Sequence, residues 1–381
     1  MPEPFGTHHC KMMVLVRHDD TAEVIIHTAN MIHQDWTNMS QAIWRSDALP
    51  LLQGQVDSAQ PEAAPVGSAT PWGWPGLREI LRTIPCPASE AAPQVHIQVS
   101  SIATLTSNWF DSFFQTLGLS STKDASHTQA DDKARSFFSP ARPAIKPVIR
   151  IVFPTAAEIR DSLDGYRSGD SIHMKFQSSA QVKQLHYMKP LLCRWSSNAH
   201  STSNPTGALT SPSPAHASEE IRETSRRRAA PHIKTYIRFS DARCTRIDWA
   251  MITSANLSKQ AWGEQASVDR EVRICSWEVG VVVWPDLFAG EGEETVMVPT
   301  FETDMPARAE VARLSLAKPR EERLADGATR EEKRRNIVGL RMPYDLPLIP
   351  YDKDDLPWCA AATHLEPDWK GVVWEGYFPK V

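Results

Sequence analysis

Short runs of Val, Ile and Met recur along the chain at residues 12–17, 24–28, 95–99, 148–153, 250–253 and 279–284, each bounded by polar or turn residues. Unbroken apolar runs of this length, rich in β-branched residues, predict buried strands. Between them the spacing changes. The segment SNWFDSFFQTLG (107–118) opens on Ser and Asn and stops at Gly118, and PGLREILRTI (75–84) starts at a proline with Leu77, Ile80 and Leu81 at i, i+3, i+4. Both predict helices with one apolar stripe. Strands interleaved with helices make α/β the expected fold class.

Four segments break the pattern. Residues 53–75 and 120–145 are rich in Pro, Ala, Ser, Gln and Asp, and 196–229 is a Ser/Thr/Pro/Asn tract ending in SRRR. These predict loops. Residues 303–336 carry dense charge of both signs, which predicts a solvated helix or an insertion without fixed structure.

Composition narrows the classes. With 381 residues, 41% of them hydrophobic, the chain can bury one large or two ordinary cores. Its 41 basic and 46 acidic side chains give a net charge of −5, so any contact with nucleic acid has to be local. The six cysteines, Cys10, Cys86, Cys193, Cys244, Cys275 and Cys359, contain no Cys-x-x-Cys pair. That argues against a zinc module or a disulfide framework and for a reducing compartment. No apolar run approaches a bilayer span, and the first 30 residues lack the layout of a signal peptide. An intracellular protein without a membrane partner is the expectation.

One pattern occurs twice. HCKMMVLVRHDDTAEVIIHTANMIHQDW (9–36) and HIKTYIRFSDARCTRIDWAMITSANLSKQAW (232–262) each open on His-x-Lys, run through two apolar stretches to Ala-Asn, and place a tryptophan six residues after the asparagine. His9 to Asn30 spans 21 residues and His232 to Asn256 spans 24. A third His-x-Lys, at His173 and Lys175, has no Ala-Asn and tryptophan downstream and reads as an ordinary strand-end histidine. Compound repetition lifts the other two into paired half-sites.

The chemistry follows from the spacing. Residues i and i+2 of a strand share a face, so His9 stands beside Lys11 and His232 beside Lys234. Each asparagine, Asn30 and Asn256, ends the second apolar stretch and can bring an amide to the same edge. Two such edges face to face suit a phosphate diester: lysine and asparagine donors stabilise charge on the equatorial oxygens, one histidine attacks phosphorus, and the other protonates the leaving oxygen. No carboxylate cluster suggests a magnesium site, so neither metal nor cofactor is expected.

These residues resemble the phospholipase D superfamily, with its duplicated His-x-Lys motif, and within it the tyrosyl-DNA phosphodiesterases. The superfamily's aspartate five places after each lysine is replaced here by Val16 and Phe239, and asparagine serves instead. FGTHHCKMM, HTANMIHQDW, PHIKTYIRFS and ITSANLSKQAWG carry the likeness, which extends through QVSSIATL, VFPTAAEIRDSLDGY, SWEVGVVVWP and MPYDLPLIPYDKDDLPW.

The resemblance implies two phospholipase D-like halves, 1–145 and 146–381, each a mixed sheet flanked by helices, with the active site between them. It implies His9 as nucleophile, His232 as general acid and base, and Lys11, Lys234, Asn30 and Asn256 holding the phosphate. Gln41 and Glu278 match the partners that orient the two histidines. Phe5 and Ser101 match contacts to DNA, against the simpler readings of a core phenylalanine and a turn serine. Tyr344 and Trp358 are candidates for the peptide side of a groove, against simple core packing. The implied partners are DNA with a 3′-phosphotyrosyl or other 3′ adduct and the peptide remnant of topoisomerase I. The implied protein is a nuclear monomer acting in DNA repair. The leading region the family places before FGTHH, and a helix and strand near residues 50–66, are replaced here by little or nothing, which implies a shortened first half. Rival readings are a nuclease or lipase of the same superfamily, and a shortened product that only binds DNA or is inactive.

Overall fold

A computed structural model describes residues 6–51, 72–86, 92–119, 121–122, 146–196, 221–265, 272–316 and 334–376. A small antiparallel sheet holds the first repeat. Its strands are β1 (Met12–Val16), β2 (Thr21–His27), β3 (Ile43–Arg45) and β4 (Leu49–Pro50), with β1, β3 and β4 all paired to β2. Helix α1 (His33–Thr37) lies in the connection from β2 to β3. The predicted runs at 12–17 and 24–28 are thus strands; the second buries Ile26, His27 and Thr28, but the first is not buried, with Val16 69% exposed, and Ile43 of β3 is 66% exposed. Nothing among the described residues covers these apolar side chains.

A sheet of eight strands holds the second repeat. Its order is β7 (Leu192–Cys193), β6 (Val148–Val152), β5 (Gln94–Gln98), β8 (Thr235–Phe239), β9 (Ile247–Thr253), β11 (Glu293–Thr300) and β12 (Arg334–Arg341), with β10 (Gly280–Val283) also paired to β9. β5, β6 and β7 run parallel, β8 and β9 antiparallel, and β11 parallel to β12. All five residues of β8 are buried, as are Val95 and Ile97 of β5 and Trp249 and Met251 of β9. A strand covered on both faces needs no polar alternation, which is why 95–99 and 250–253 read as apolar runs, whereas β8 buries the polar Thr235 and Arg238 along with its apolar residues.

The helices cover this sheet. In α2 (Gly73–Thr83) Gly76, Leu77 and Leu81 turn inward, whereas Ile80, placed in the stripe by its spacing, is exposed. In α3 (Ser107–Leu117) Phe110, Phe113 and Leu117 are buried, and Thr106 caps the first turn by accepting the Trp109 N–H at 3.3 Å. Phe113 packs against Tyr236 and Trp262, joining α3 to the second repeat.

The shorter helices follow in the second part of the chain. α4 (Ala156–Arg160) and α5 (Ser179–Met188) are both closed by capping boxes, and α6 (Lys259–Trp262) follows Asn256. The charge-dense segment contains α7 (Arg308–Leu316), of which Leu314 is buried, and ends inside β12. The predicted loops lie partly outside the described residues, at 53–71, 123–145 and 197–220.

A boundary between residues 145 and 146 would fall between β5 and β6, which are hydrogen-bonded neighbours in one sheet. Residues 94–98 therefore belong with the second repeat.

Tyr344 and Trp358 are fully buried. Trp358 Nε1 donates to Gly169 O at 3.0 Å, so both aromatics are core and not groove residues. No helix among the described residues is long and apolar enough to cross a membrane.

Candidate active site

The two repeats present their key residues by the same local rule. In the first, His27 N–H donates to Lys11 O at 3.0 Å; in the second, Thr253 N–H donates to Lys234 O at 3.2 Å. Each lysine is thereby registered opposite the residue three places before its asparagine. Each ammonium also turns back onto the carbonyl of its own histidine, Lys11 Nζ to His9 O at 3.0 Å and Lys234 Nζ to His232 O. His9 and Lys11 just precede β1, and His232 and Lys234 just precede β8.

The repeats then cross. His9 N–H donates to Trp277 O at 2.9 Å, beside the second repeat, and His232 N–H donates to Ser40 O at 3.1 Å, beside the first. Carboxylates follow the same crossing. Glu278 Oε2 lies 2.9 Å from His9 Nδ1, and Asp35 Oδ2 lies 3.1 Å from His232 Nδ1. The second approach is bent from the ideal N–H direction, and no hydrogen bond to Nδ1 is completed. His8, by contrast, is exposed.

Glu278 is held by Ser254, whose hydroxyl donates to the same Oε2 at 2.5 Å. The equivalent hydroxyl of the first repeat, Thr28, donates to Gln41 Oε1 at 2.8 Å. Gln41 thus occupies the place that Glu278 has in the other repeat, as the resemblance implied, but it does not reach a histidine. Its carbonyl is taken by Thr28, and Asp35 already stands at Nδ1 of His232. The expectation that Gln41 orients a histidine is corrected accordingly.

The asparagines differ in their contacts. Asn256 Oδ1 accepts the N–H of Ser100 at 3.1 Å and of Ser101 at 2.9 Å, which turns its amide nitrogen away from the serines. Asn30 Nδ2 lies 3.5 Å from His232 Nε2, and its backbone N–H donates to Asp35 Oδ2 at 2.6 Å. Ser101, expected at the DNA backbone, therefore holds Asn256 through its main chain. Phe5 lies outside the described residues. His173 pairs with Ser101 across a two-residue parallel ladder, beside the site but without an asparagine of its own.

Burial sets the charge balance. Lys234 is fully buried and Lys11 nearly so. Desolvation lowers the pKa of both, and for Lys234 the charge of Lys11 lowers it further. His232 is held below its usual range by burial and then by Lys234. Burial pushes Asp35 up, but the close approach of His232, the Asn30 N–H and the charge of Lys234 outweigh it and leave the carboxyl below its usual range. The site therefore concentrates two lysines and two amides around two imidazoles, each backed by an acid. That is the donor set for an oxyanion and not for a cation, and no metal-binding group of His, Cys, Asp or Glu occurs among the described residues. A cavity of about 420 Å³ lined by Glu223, Ser225, Arg227, Arg228 and Asp345 contains none of these residues.

Sequence reasoning missed Asp35 and Ser254. A signal for the first existed in the repeat itself, because Asp35 stands one residue before Trp36 where the second copy has Ala261 before Trp262.

A family model described as tyrosyl-DNA phosphodiesterase matches residues 1–65 and 60–352. The break falls inside 53–75, where the resemblance lapses. A probable tyrosyl-DNA phosphodiesterase of Schizosaccharomyces pombe is 25% identical, aligned over 97% of this chain and 77% of its own. Tyrosyl-DNA phosphodiesterase 1 of Arabidopsis thaliana is 26% identical over 98% of this chain, which spans only 62% of the plant protein. The crystal structure of yeast tyrosyl-DNA phosphodiesterase superposes with a TM-score of 0.52 at 18% identity, covering 93% of this chain and 79% of the yeast chain. A mutant form of the yeast protein gives 0.54 at 16% identity, over 94% and 78%. At such identities the likeness to the solved structures concerns the fold. The family match extends from residue 1 to 352 and includes both His-x-Lys segments: the chain belongs to the tyrosyl-DNA phosphodiesterase family of phosphoric diester hydrolases, built on the phospholipase D fold.

Proposed function

We propose that this protein hydrolyses the phosphodiester that joins a DNA 3′ end to a tyrosine, the link left by topoisomerase I, together with related 3′ adducts, leaving a 3′ phosphate. The observation that carries this reading is the crossed pair of His, Lys and Asn sets, each imidazole backed by a carboxylate from beside the other repeat.

Glu278 occupies Nδ1 of His9, so Nε2 is the nitrogen left to attack phosphorus. As the P–N bond forms, the bond from phosphorus to the tyrosyl oxygen breaks, and His232 gives that oxygen its proton. His232 then takes a proton from water. The water oxygen attacks phosphorus, the P–N bond breaks, and the 3′ phosphate is released. Lys11, Lys234, Asn30 and Asn256 donate to the equatorial oxygens throughout. Because these donors supply the charge that a metal would otherwise supply, turnover is expected to survive chelation. Phe5 and Ser101 are the positions offered to the DNA strand, and the peptide remnant of topoisomerase I leaves with the tyrosine. The place of action in this reading is the nucleus.

The test is turnover of a 3′-phosphotyrosyl oligonucleotide in the presence of EDTA, beside a phosphatidylcholine control. His232→Asn should accumulate a covalent protein–DNA adduct, because the second step loses its base. Turnover that persists in His9→Ala, or a preference for the lipid, would overturn the proposal.

A further inference from the structure

The third His-x-Lys belongs to neither half-site, yet the fold brings it to their edge. His173 N–H donates to Ser100 O at 2.8 Å, and His173 pairs with Ser101 across the two-residue parallel ladder. The same two serines give their N–H groups to Asn256 Oδ1. One dipeptide thus carries Asn256 on one side and His173 on the other.

Burial alternates through the motif. His173 and Lys175 are exposed, and Met174 between them is 2% exposed. Met174 is the anchor, so the imidazole and the ammonium share the outer face, about 7 Å apart along the extended chain. As the ladder partner of His173, Ser101 presents its hydroxyl to that face as well. Among the described residues none of these three side chains has a hydrogen bond or ion pair.

We propose that His173 and Lys175, beside the Ser101 hydroxyl, form a subsite for the backbone phosphate next to the scissile one in the DNA strand. The inference rests on the DNA substrate named above.

The reaction geometry says where the strand must go. In-line displacement puts His9 and the tyrosyl oxygen at opposite ends of phosphorus, so the 3′ oxygen leads the strand out sideways, past one of the two asparagines. On the Asn30 side the chain exposes the apolar Met31, Ile32 and Trp36. On the Asn256 side it exposes Ser101, His173 and Lys175. A polyanion takes the second way.

Electrostatics agree with that route. At a net charge of −5 the whole protein does not attract a strand, so cations beside the site have to do so. Desolvation lowers the His173 pKa; Asp170 opposes this, and the charges of Lys175 and Lys234 add to it. The field of Lys234 therefore reaches His173, and the pair extends the positive region of the site. A neutral ring offers one N–H to a phosphate oxygen, and Lys175 carries the charge.

The test separates binding from turnover. Two labelled single strands ending in a 3′ phosphate are compared on the full chain, identical except that the phosphate next to the terminal one is a neutral methylphosphonate. Loss of that charge should weaken wild-type binding by about 3- to 10-fold. Lys175→Ala should bind the ordinary strand as weakly, show no further loss with the methylphosphonate, and lower the salt slope by about one. Lys175→Arg should restore both, and His173→Ala should give a smaller loss in the same direction. On the 3′-phosphotyrosyl strand these changes should appear in KM and leave kcat in place. A wild type indifferent to the methylphosphonate overturns the proposal, and so does a Lys175→Ala variant that still loses as much as the wild type. A folded wild type that distinguishes the two strands but does not cleave the phosphotyrosyl one counts against the phosphodiesterase reading and leaves the subsite standing.

Discussion

Asn256 Oδ1 and Ser101 N lie 2.9 Å apart, and Ser100 N joins the same oxygen at 3.1 Å. Two main-chain donors on one carbonyl fix which way the amide faces, and they leave its nitrogen as the group offered to a phosphate. Asn256→Ala should lower kcat on a 3′-phosphotyrosyl strand by about 10²- to 10³-fold, the cost of losing one preorganised oxyanion donor. Asn256→Asp keeps the acceptor for Ser100 and Ser101 but turns an anionic oxygen toward the phosphate, so it should be the slower of the two.

Glu278 acts on His9 and depends on Ser254. Removing its charge while keeping its shape, in Glu278→Gln, should lower the rate of adduct formation by about 10- to 100-fold. Ser254→Ala should give a smaller loss in the same step. Single-turnover kinetics check both, and an unchanged rate in Glu278→Gln would show that His9 needs no oriented partner.

The His, Lys and Asn sets were legible because duplication wrote each one twice with the same internal offsets. Asp35 was not, because the chain writes it once and its partner is supplied by the far repeat. Gln41 misled for a related reason: its place in the repeat is that of Glu278, but a neutral amide whose carbonyl is bonded to Thr28 does not reach across to His232. Strands β5 and β6 and the end of β9 announced themselves through continuous apolar runs, but β8, with Thr235 and Arg238 inside it, and β11, which opens on two glutamates, did not. The grouping of β5 with the second repeat did not, since periodicity carries no information about which sheet a strand joins. Strand β12 was hidden for another reason, as it starts among the arginines that close the charge-dense segment.

Stability should depend on pH through buried groups that oppose one another. Burial, then the charge of Arg150, holds His96 at about 3, and burial, then Lys234, holds His232 at about 4, against an ordinary 6.5. Both rings stay neutral in the folded chain while the unfolded chain takes up protons, so their contribution is complete above pH 6.5 and is lost as the pH falls through the folded values. Burial raises Glu158 from 4.5 to about 7, so its contribution is complete below pH 4.5 and is lost as the pH rises toward 7. Two histidines outweigh one glutamate, and Tm should fall as the pH is lowered from about 6.5. Glu158→Gln should steepen that fall, which thermal melts across the range would read.

Gly169 has no room for a side chain. A Cβ there would sit 2.2 Å from Trp358 Cε2, and the Gly169 carbonyl also accepts the Trp358 Nε1 hydrogen at 3.0 Å. Gly169→Ala should therefore push a fully buried tryptophan off its partner and cost about 1–3 kcal/mol. A lower urea midpoint with an altered near-ultraviolet tryptophan signal is the expected result.

The exchange of carboxylates between the repeats makes each half of the site incomplete by itself. Glu278 reaches over to His9, and Asp35 reaches back to His232, so neither repeat alone sets a carboxylate beside its own imidazole. Under the proposed mechanism, cleavage therefore waits on both reaches closing, and turnover reads out completed assembly.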